Sequence, residues 1–173
     1  SEIDVLEKSW DHWRIDAPCA NLSAQFGGIL EGHHTGSTED QRRVIYFDDP
    51  AGQLGDTTLG LTVTRSRGGD IAFSIFGDTY YYTGDSDIIF GKDINWFSDE
   101  QIRNGQCSGG HSLEGVATHE IGHLFGMGHS CEKDEECNDL DKLYATMYWS
   151  GSDCSVDQSQ LKTDDIQGIT ALY

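Results

Sequence analysis

Residues 119–130 read His119-Glu120-Ile121-Gly122-His123-Leu124-Phe125-Gly126-Met127-Gly128-His129-Ser130. This stretch leaves the chain few ways to fold. On a helix, His119 and His123 lie one turn apart on the same face, where both imidazoles reach one ion. Gly126, three residues on, suits a left-handed cap that ends the helix and turns the chain, and the turn brings His129 back as a third nitrogen ligand. Three histidines around Zn²⁺ leave one tetrahedral position open, the arrangement of a catalytic site and not of a structural one. Glu120, beside the first ligand, is placed to hold a water there and take its proton. A lone H-E-x-x-H arises by chance on many helices. Each further fixed position is matched by chance only about once in twenty, so the added glycine and third histidine make the signal specific.

The rest of the composition bounds the partners. Among 173 residues, 30 are acidic and 11 are Lys or Arg, for a formal charge of −19. A nucleic-acid binder needs a basic face to replace the counterions on phosphate, and anionic lipid repels such a chain. No nucleic-acid and no membrane partner is therefore expected. No apolar run approaches the ~18 residues of a membrane span, and no signal-like leader is expected ahead of Ser1. Five cysteines point to an oxidising compartment, with one lacking an internal partner. The expectation is a secreted, extracellular monomer folded as a single domain over 1–173.

Ile3, Leu6, Trp10 and Trp13 recur at helical spacing, which predicts an amphipathic first helix. Alternation at Leu22, Ala24 and Phe26 predicts a strand, as do the runs Val44–Phe47, Leu59–Thr64 and Asp87–Phe90. The segment from Asp70 to Tyr82, with Gly77-Asp78 in its middle, reads as a hairpin. Ser112 is the predicted cap of a helix to Phe125, and Thr163 that of a last helix carrying Ile166, Ile169 and Leu172, with Asp164 and Asp165 at the positive end of its dipole. Strands first and the main helix late make the class α+β.

The pattern around His119, His123 and His129, completed by Met147 in Ala145-Thr146-Met147-Tyr148, resembles the metzincins, in which such a methionine forms an apolar floor beneath the zinc ligands. Ser130 after the third histidine is similar to the matrixins, where astacins carry Glu, adamalysins Asp and serralysins Pro. Trp149 occupies the place of the extra tyrosine ligand of astacins and serralysins. The closing segment from Leu161 to Tyr173 looks like the last matrixin helix, and Asp87-x-x-Phe90 followed by Trp96 like the strand leading to the active-site helix. The likeness is firm over 87–173 and rests on the order of elements before that.

The resemblance implies an α+β metzincin domain, with an N-terminal subdomain over about 1–129 and a C-terminal one over about 130–173: a twisted, mostly parallel sheet with an antiparallel edge strand, packed on the active-site helix, plus a C-terminal helix. It implies a zinc endopeptidase in which Glu120 is the general base toward a zinc-held water, acting on protein or peptide substrates. The alternative is a catalytically silent zinc-binding module of the same fold. Substrate would lie along the edge strand that includes Leu59, Gly60 and Leu61, and the wall of the S1′ pocket would run from Tyr148 to Cys154. Gly115, four residues before the first ligand, leaves that pocket deep and suited to large apolar side chains. Ile89 and Gly91 stand where animal matrixins place a structural-zinc histidine and a calcium aspartate, so one catalytic Zn²⁺ is expected. The acidic stretch 132–141 could take Ca²⁺ but lacks the spacing of a known loop, and a solvated loop is the better reading. Adjacent His33 and His34, and His111, read as solvated. Cys131 and Cys137 flank a loop that a disulfide could close. Of Cys19, Cys107 and Cys154 one must be odd. Cys19 lacks the neighbours of a propeptide's zinc-blocking cysteine and reads as a disulfide partner or a buried thiol. Asn21-Leu22-Ser23 is a glycosylation sequon in form only.

Overall fold

The computed structural model describes residues 1–173 except 24–25, 31–41, 50, 67–71, 76–77, 82 and 134–135, and leaves out the side chains of 66, 72–75, 78–81 and 83–84. The elements run α1 (Glu2–Asp16), β1 (Ile45–Tyr46), β2 (Gly60–Ser66), β3 (Ala72–Ile75), β4 (Asp78–Tyr81), β5 (Thr83–Phe90), β6 (Trp96–Phe97), α2 (Asp99–Arg103), β7 (His111–Ser112), α3 (Leu113–Leu124), α4 (Leu140–Leu143), a 3₁₀ turn (Asp157–Ser159) and α5 (Thr163–Leu172). Two compact units are formed, one from 1–26 with 93–173, the other from 27–92.

The second unit holds a three-stranded sheet in the order β1-β5-β2. β1 runs parallel to β5, pairing Ile45 with Ile88 and Tyr46 with Ile89. β2 runs antiparallel along the other edge, from Gly60 opposite Phe90 to Ser66 opposite Thr83. The expected antiparallel edge strand is therefore present. Asp85 to Phe90 are all buried, with the apolar run Ile88–Phe90 at the centre of the sheet, and Phe90 stacks on Phe47 at 5.1 Å. The expected hairpin is the β3–β4 pair, with Ile75 opposite Asp78; Gly77 lies outside the described residues.

The first unit is built around α3. Ser1 and Asp4 form a capping box at the start of α1, and the helix lays Trp13, fully buried, against α3 with its indole Nε1 donating to the Thr118 carbonyl at 2.8 Å. Ser9 donates to the Glu114 carbonyl at 3.2 Å. The Glu114 carboxylate, itself buried, takes Lys8 Nζ at 2.7 Å and His12 Nε2 at 3.0 Å, and His12 Nδ1 faces Asp16 at 3.3 Å. The hydrogen bond to Glu114 and the adjacent Asp16 raise the His12 pKa despite burial. Burial pushes Glu114 up, but the bonds from His12 and Lys8 outweigh it and leave its pKa lowered.

This clasp has a defined pH window. The His12 contribution is full below its unfolded value near 6.5 and fades as pH rises through the higher folded value. The Glu114 contribution is present above its unfolded value near 4.5 and is lost as pH falls through the lower folded value. Stability from the clasp is thus complete between these two values. Thermal unfolding of the wild type and His12→Gln should give a difference in Tm that shrinks as pH is raised from about 6 to about 8. A constant difference would exclude a charged His12.

Several expectations are corrected. Residues 21–23 and 26–30 form no strand; the Leu22 amide is taken by the Ala20 carbonyl at 2.9 Å in a tight turn, and Leu22 is buried while Phe26 is exposed, so the alternation does not define one face. Ala24 is outside the described residues. The last helix begins at Thr163, with Lys162 at the cap position. Cysteine pairing is Cys107–Cys154 and Cys131–Cys137, which leaves Cys19 neither bridged nor buried but free and exposed. His33 and His34 lie outside the described residues. His111 is half-buried and meets Asp153 at 3.4 Å, so it is paired and not simply solvated.

Candidate active site

α3 starts where the sequence predicts, with Ser112 Oγ accepting the Gly115 amide at 2.8 Å. The same hydroxyl donates to the buried Asp99 Oδ1 at 2.5 Å, and Ser159 Oγ donates to that oxygen at 3.0 Å. A Cβ built on Gly115 would meet Ser112 and Ser159 at 3.4 Å. The helix ends in a Schellman turn: the Met127 amide bonds the Gly122 carbonyl at 3.0 Å and the Gly126 amide bonds the His123 carbonyl at 2.9 Å. Gly126 carries φ +90°, the left-handed geometry that glycine adopts without penalty.

That turn brings the three histidines together. His123 Nε2 lies 3.1 Å from His119 Nε2 and 3.2 Å from His129 Nε2. Among the described residues, this trio is the one group of metal-ligating side chains whose ligand atoms converge within 4.8 Å. Every second ring nitrogen has its own acceptor. His119 Nδ1 donates to the Thr146 carbonyl at 2.8 Å, His123 Nδ1 to the Met127 carbonyl at 2.8 Å, and His129 Nδ1 to Glu132 Oε2 at 3.0 Å. An imidazole whose proton is held on Nδ1 must present a lone pair on Nε2. Three lone pairs facing one another repel, and a cation among them removes the repulsion, so the donor set fits Zn²⁺. Burial, then the neighbouring His123, holds the His119 pKa down to about 3. Burial also lowers that of His123. Both rings are therefore neutral ligands at physiological pH.

Between His119 and His123, α3 carries Gly122 where any side chain would collide. A Cβ there would strike Met147 Sδ and stand 2.6 Å from Trp13 Cζ2. Met147, 1% exposed, therefore packs directly on the helix backbone between the first two histidines in sequence. Its turn is pinned by Asp165, fully buried, whose carboxylate accepts Thr146 N at 2.8 Å, Met147 N at 2.9 Å and Lys162 N at 2.8 Å. Gln158 Nε2 donates to the carbonyls of Thr146 at 3.1 Å and Tyr148 at 2.8 Å. Ser130, after the third histidine, takes part too: its amide bonds the Met147 carbonyl at 2.9 Å and its hydroxyl the Lys142 carbonyl at 2.8 Å.

The scan against family models matches Peptidase_M10, described as Matrixin, over residues 35–173. The chain is a matrixin. Its α+β architecture is the one that family membership implies. This matrixin is 32% identical over 109 residues to Metalloendoproteinase 1 of Glycine max, covering 56% of the chain and 32% of that protein. It is 31% identical over 106 residues to Matrilysin of Homo sapiens, covering 56% of the chain and 36% of that protein. Over its whole length it is 26% identical to Interstitial collagenase of Oryctolagus cuniculus, of which it covers 28%. The chain thus spans about a third of the length of these relatives. Matrixins use zinc, and the His119, His123 and His129 trio could form such a site.

The structure brings His119, Glu120, His123 and His129 onto one helix and the turn after it, with Glu120 buried and Met147 packed against Gly122 of that helix. Tyr148 follows directly and is half-buried. Leu59 precedes β2 of the other unit, and Gly60 and Leu61 are its first two residues. Sequence reasoning missed Asp165, Glu132 and Gln158. Asp165 carried a signal of the wrong kind, since an acid in a helix's first turn is explained by the dipole alone. Glu132 sat in an acidic run that reads as a solvated face.

Proposed function

We propose that this matrixin is a secreted zinc endopeptidase acting on protein or peptide substrates. The observation that supports it most is the convergence of three Nε2 atoms whose partner nitrogens are all occupied by acceptors. His119, His123 and His129 would hold the ion. When bound, zinc acts as a Lewis acid that polarises a carbonyl oxygen and lowers the pKa of water. The remaining chemistry belongs to the chain. Glu120, next to the first ligand and buried, takes a proton from the attacking water on its carboxylate and returns it to the leaving amine nitrogen. The water oxygen bonds to the scissile carbonyl carbon and the C–N bond breaks as the amine takes the proton, so Glu120 ends deprotonated as it began and the enzyme forms no covalent intermediate.

Substrate recognition follows from the same reading. An extended peptide adds to the edge of β2 by main-chain pairing, starting at Leu59, Gly60 and Leu61. Tyr148 and the residues to Cys154 form the wall that receives the side chain after the scissile bond, and Gly115 leaves that recess deep. This wall is anchored at both ends: at Met147 by Asp165, and at Cys154 by the Cys107 disulfide and a 2.8 Å bond from its amide to the Gly110 carbonyl. Cys154 carries φ +51°, a conformation costly for a non-glycine residue and sustained only where the surroundings impose it. The domain is proposed to act as a monomer divided near residue 129. One zinc is sufficient for the chemistry. No helix among the described residues is long and apolar enough to cross a membrane.

The test is a peptide library incubated with the protein, with and without a zinc chelator. Cleavage before large apolar residues, abolished by chelation and restored by Zn²⁺, is the expected result. Preference for Ala or Gly at that position would overturn the deep recess. Zinc binding without any cleavage would establish the silent module instead.

A further inference from the structure

We propose that Glu132 is a positioning residue for the third zinc ligand and that the Cys131–Cys137 disulfide holds it in place. This rests on the reading of His119, His123 and His129 as a zinc site. The three ligands are not supported alike. His119 and His123 donate Nδ1–H to backbone carbonyls, Thr146 and Met127, fixed by the packing of the Met147 turn and by the helix cap. His129 alone of the three has a carboxylate, Glu132 Oε2 at 3.0 Å.

A carboxylate on the far nitrogen does two things a carbonyl does less well. It fixes the ring's tautomer and orientation, and its negative charge makes the ligating nitrogen more basic. His129 needs such a partner most. It lies beyond the helix cap, more exposed than His119, and no helical turn sets its direction.

Glu132 is itself on a loop, and a loop glutamate with an exposed side chain would ordinarily lose this geometry to rotamer freedom. Here its backbone is bracketed. Ser130 is bonded to the Met147 and Lys142 carbonyls on one side. The disulfide from Cys131, which is buried, closes the loop six residues on at Cys137. Lys133, the next residue, places its Nζ 5.9 Å from the Trp149 ring centre, two residues past Met147. Glu132 is thus held by a disulfide within its own loop at Cys131, and by contacts of Ser130 and Lys133 with the segment from Met147 to Trp149.

Zinc affinity, measured by competition with a chromophoric chelator, and the visible spectrum of the cobalt-substituted protein test this directly. Removing the outer partner of a metal ligand costs about 10–100-fold in affinity. For this exposed contact Glu132→Ala should lose about tenfold and shift the cobalt spectrum. Glu132→Gln keeps an acceptor oxygen without the charge and should recover part of the loss. The double variant Cys131→Ser/Cys137→Ser should weaken zinc in the same direction, and Glu136→Gln, which removes a charge from the same loop, should stay within about twofold of wild type. Wild-type protein that binds zinc while Glu132→Ala binds it equally well, with an unchanged cobalt spectrum, would overturn the role of Glu132 alone. An equal loss in Glu136→Gln would reduce it to general charge. Wild-type protein that binds no zinc would overturn the metal site and this proposal with it.

Discussion

Glu120→Ala should retain the fold and the zinc but lose turnover by about 10³-fold or more. A positioned general acid–base residue supplies about 10²–10⁴ in rate, and in the proposed cycle Glu120 serves twice, once toward the water and once toward the leaving amine. Both services vanish together in the alanine variant. The ligand set is untouched, because all three imidazoles take their Nδ1 partners from elsewhere, from Thr146, Met127 and Glu132. Truncation therefore separates chemistry from metal binding. Glu120→Gln retains the volume of the side chain but has no basic oxygen, so it should be nearly as inactive. The measurement is kcat on a fluorogenic peptide alongside zinc content and thermal unfolding. A variant with full zinc, native Tm and near wild-type kcat would mean that another group moves the proton.

Asp165→Ala should be strongly destabilising although it touches no zinc ligand. The carboxylate is fully buried and accepts three backbone amides, Thr146, Met147 and Lys162. A buried donor left without an acceptor costs about 1–3 kcal/mol. Partial rearrangement of the turn would recover some of that, and a net loss of about 3 kcal/mol is expected. For a chain of this length that corresponds to a fall in Tm of roughly 10 °C. The damage should reach the metal, because the Thr146 carbonyl that receives His119 Nδ1 belongs to the turn that Asp165 holds. Asp165→Asn restores two acceptor lone pairs but aims an NH₂ at an amide, so it should recover less than half of the loss. Thermal unfolding with and without added zinc would check this. A Tm within 2 °C of wild type for Asp165→Ala, on the ~3 °C per kcal/mol scale, would exclude the structural role.

The glycines show how unevenly the site was legible. Gly126 was readable because its task is local: a helix that must stop three residues after His123 needs a left-handed residue there, and the observed φ of +90° is that conformation. Gly122 was not. Its reason is the contact with Met147 and Trp13, residues 25 ahead and 109 behind in the chain, and nothing in the spacing of 119–130 announces it. The same contrast holds for acids. Asp165 and Asp164 look alike in sequence, both in the first turn of α5. Only Asp165 is turned inward to the Met147 segment, while Asp164, partly desolvated beside it, has its pKa raised. The strand expected at 22–26 failed for a related reason. A short alternation of apolar residues carries no information about whether a neighbouring strand exists to pair with it.

By itself, then, the sequence determined the elements whose cause is local. These are the helix at 113–124 with its serine cap and glycine exit, the convergence of three histidines, the edge strand from residue 60, and the matrixin family. Hydrogen bonds one turn apart and a side-chain period of 3.6 or 2 can be counted along the chain. Tertiary structure alone decided what holds the site in shape: which cysteines pair, which acid receives the Met147 turn, which residue receives each Nδ1 proton. Those partners lie from 3 to 47 residues away from the groups they serve. Choosing among them depends on which of several chemically equivalent side chains the folded backbone brings within 3 Å, a distance that only packing sets.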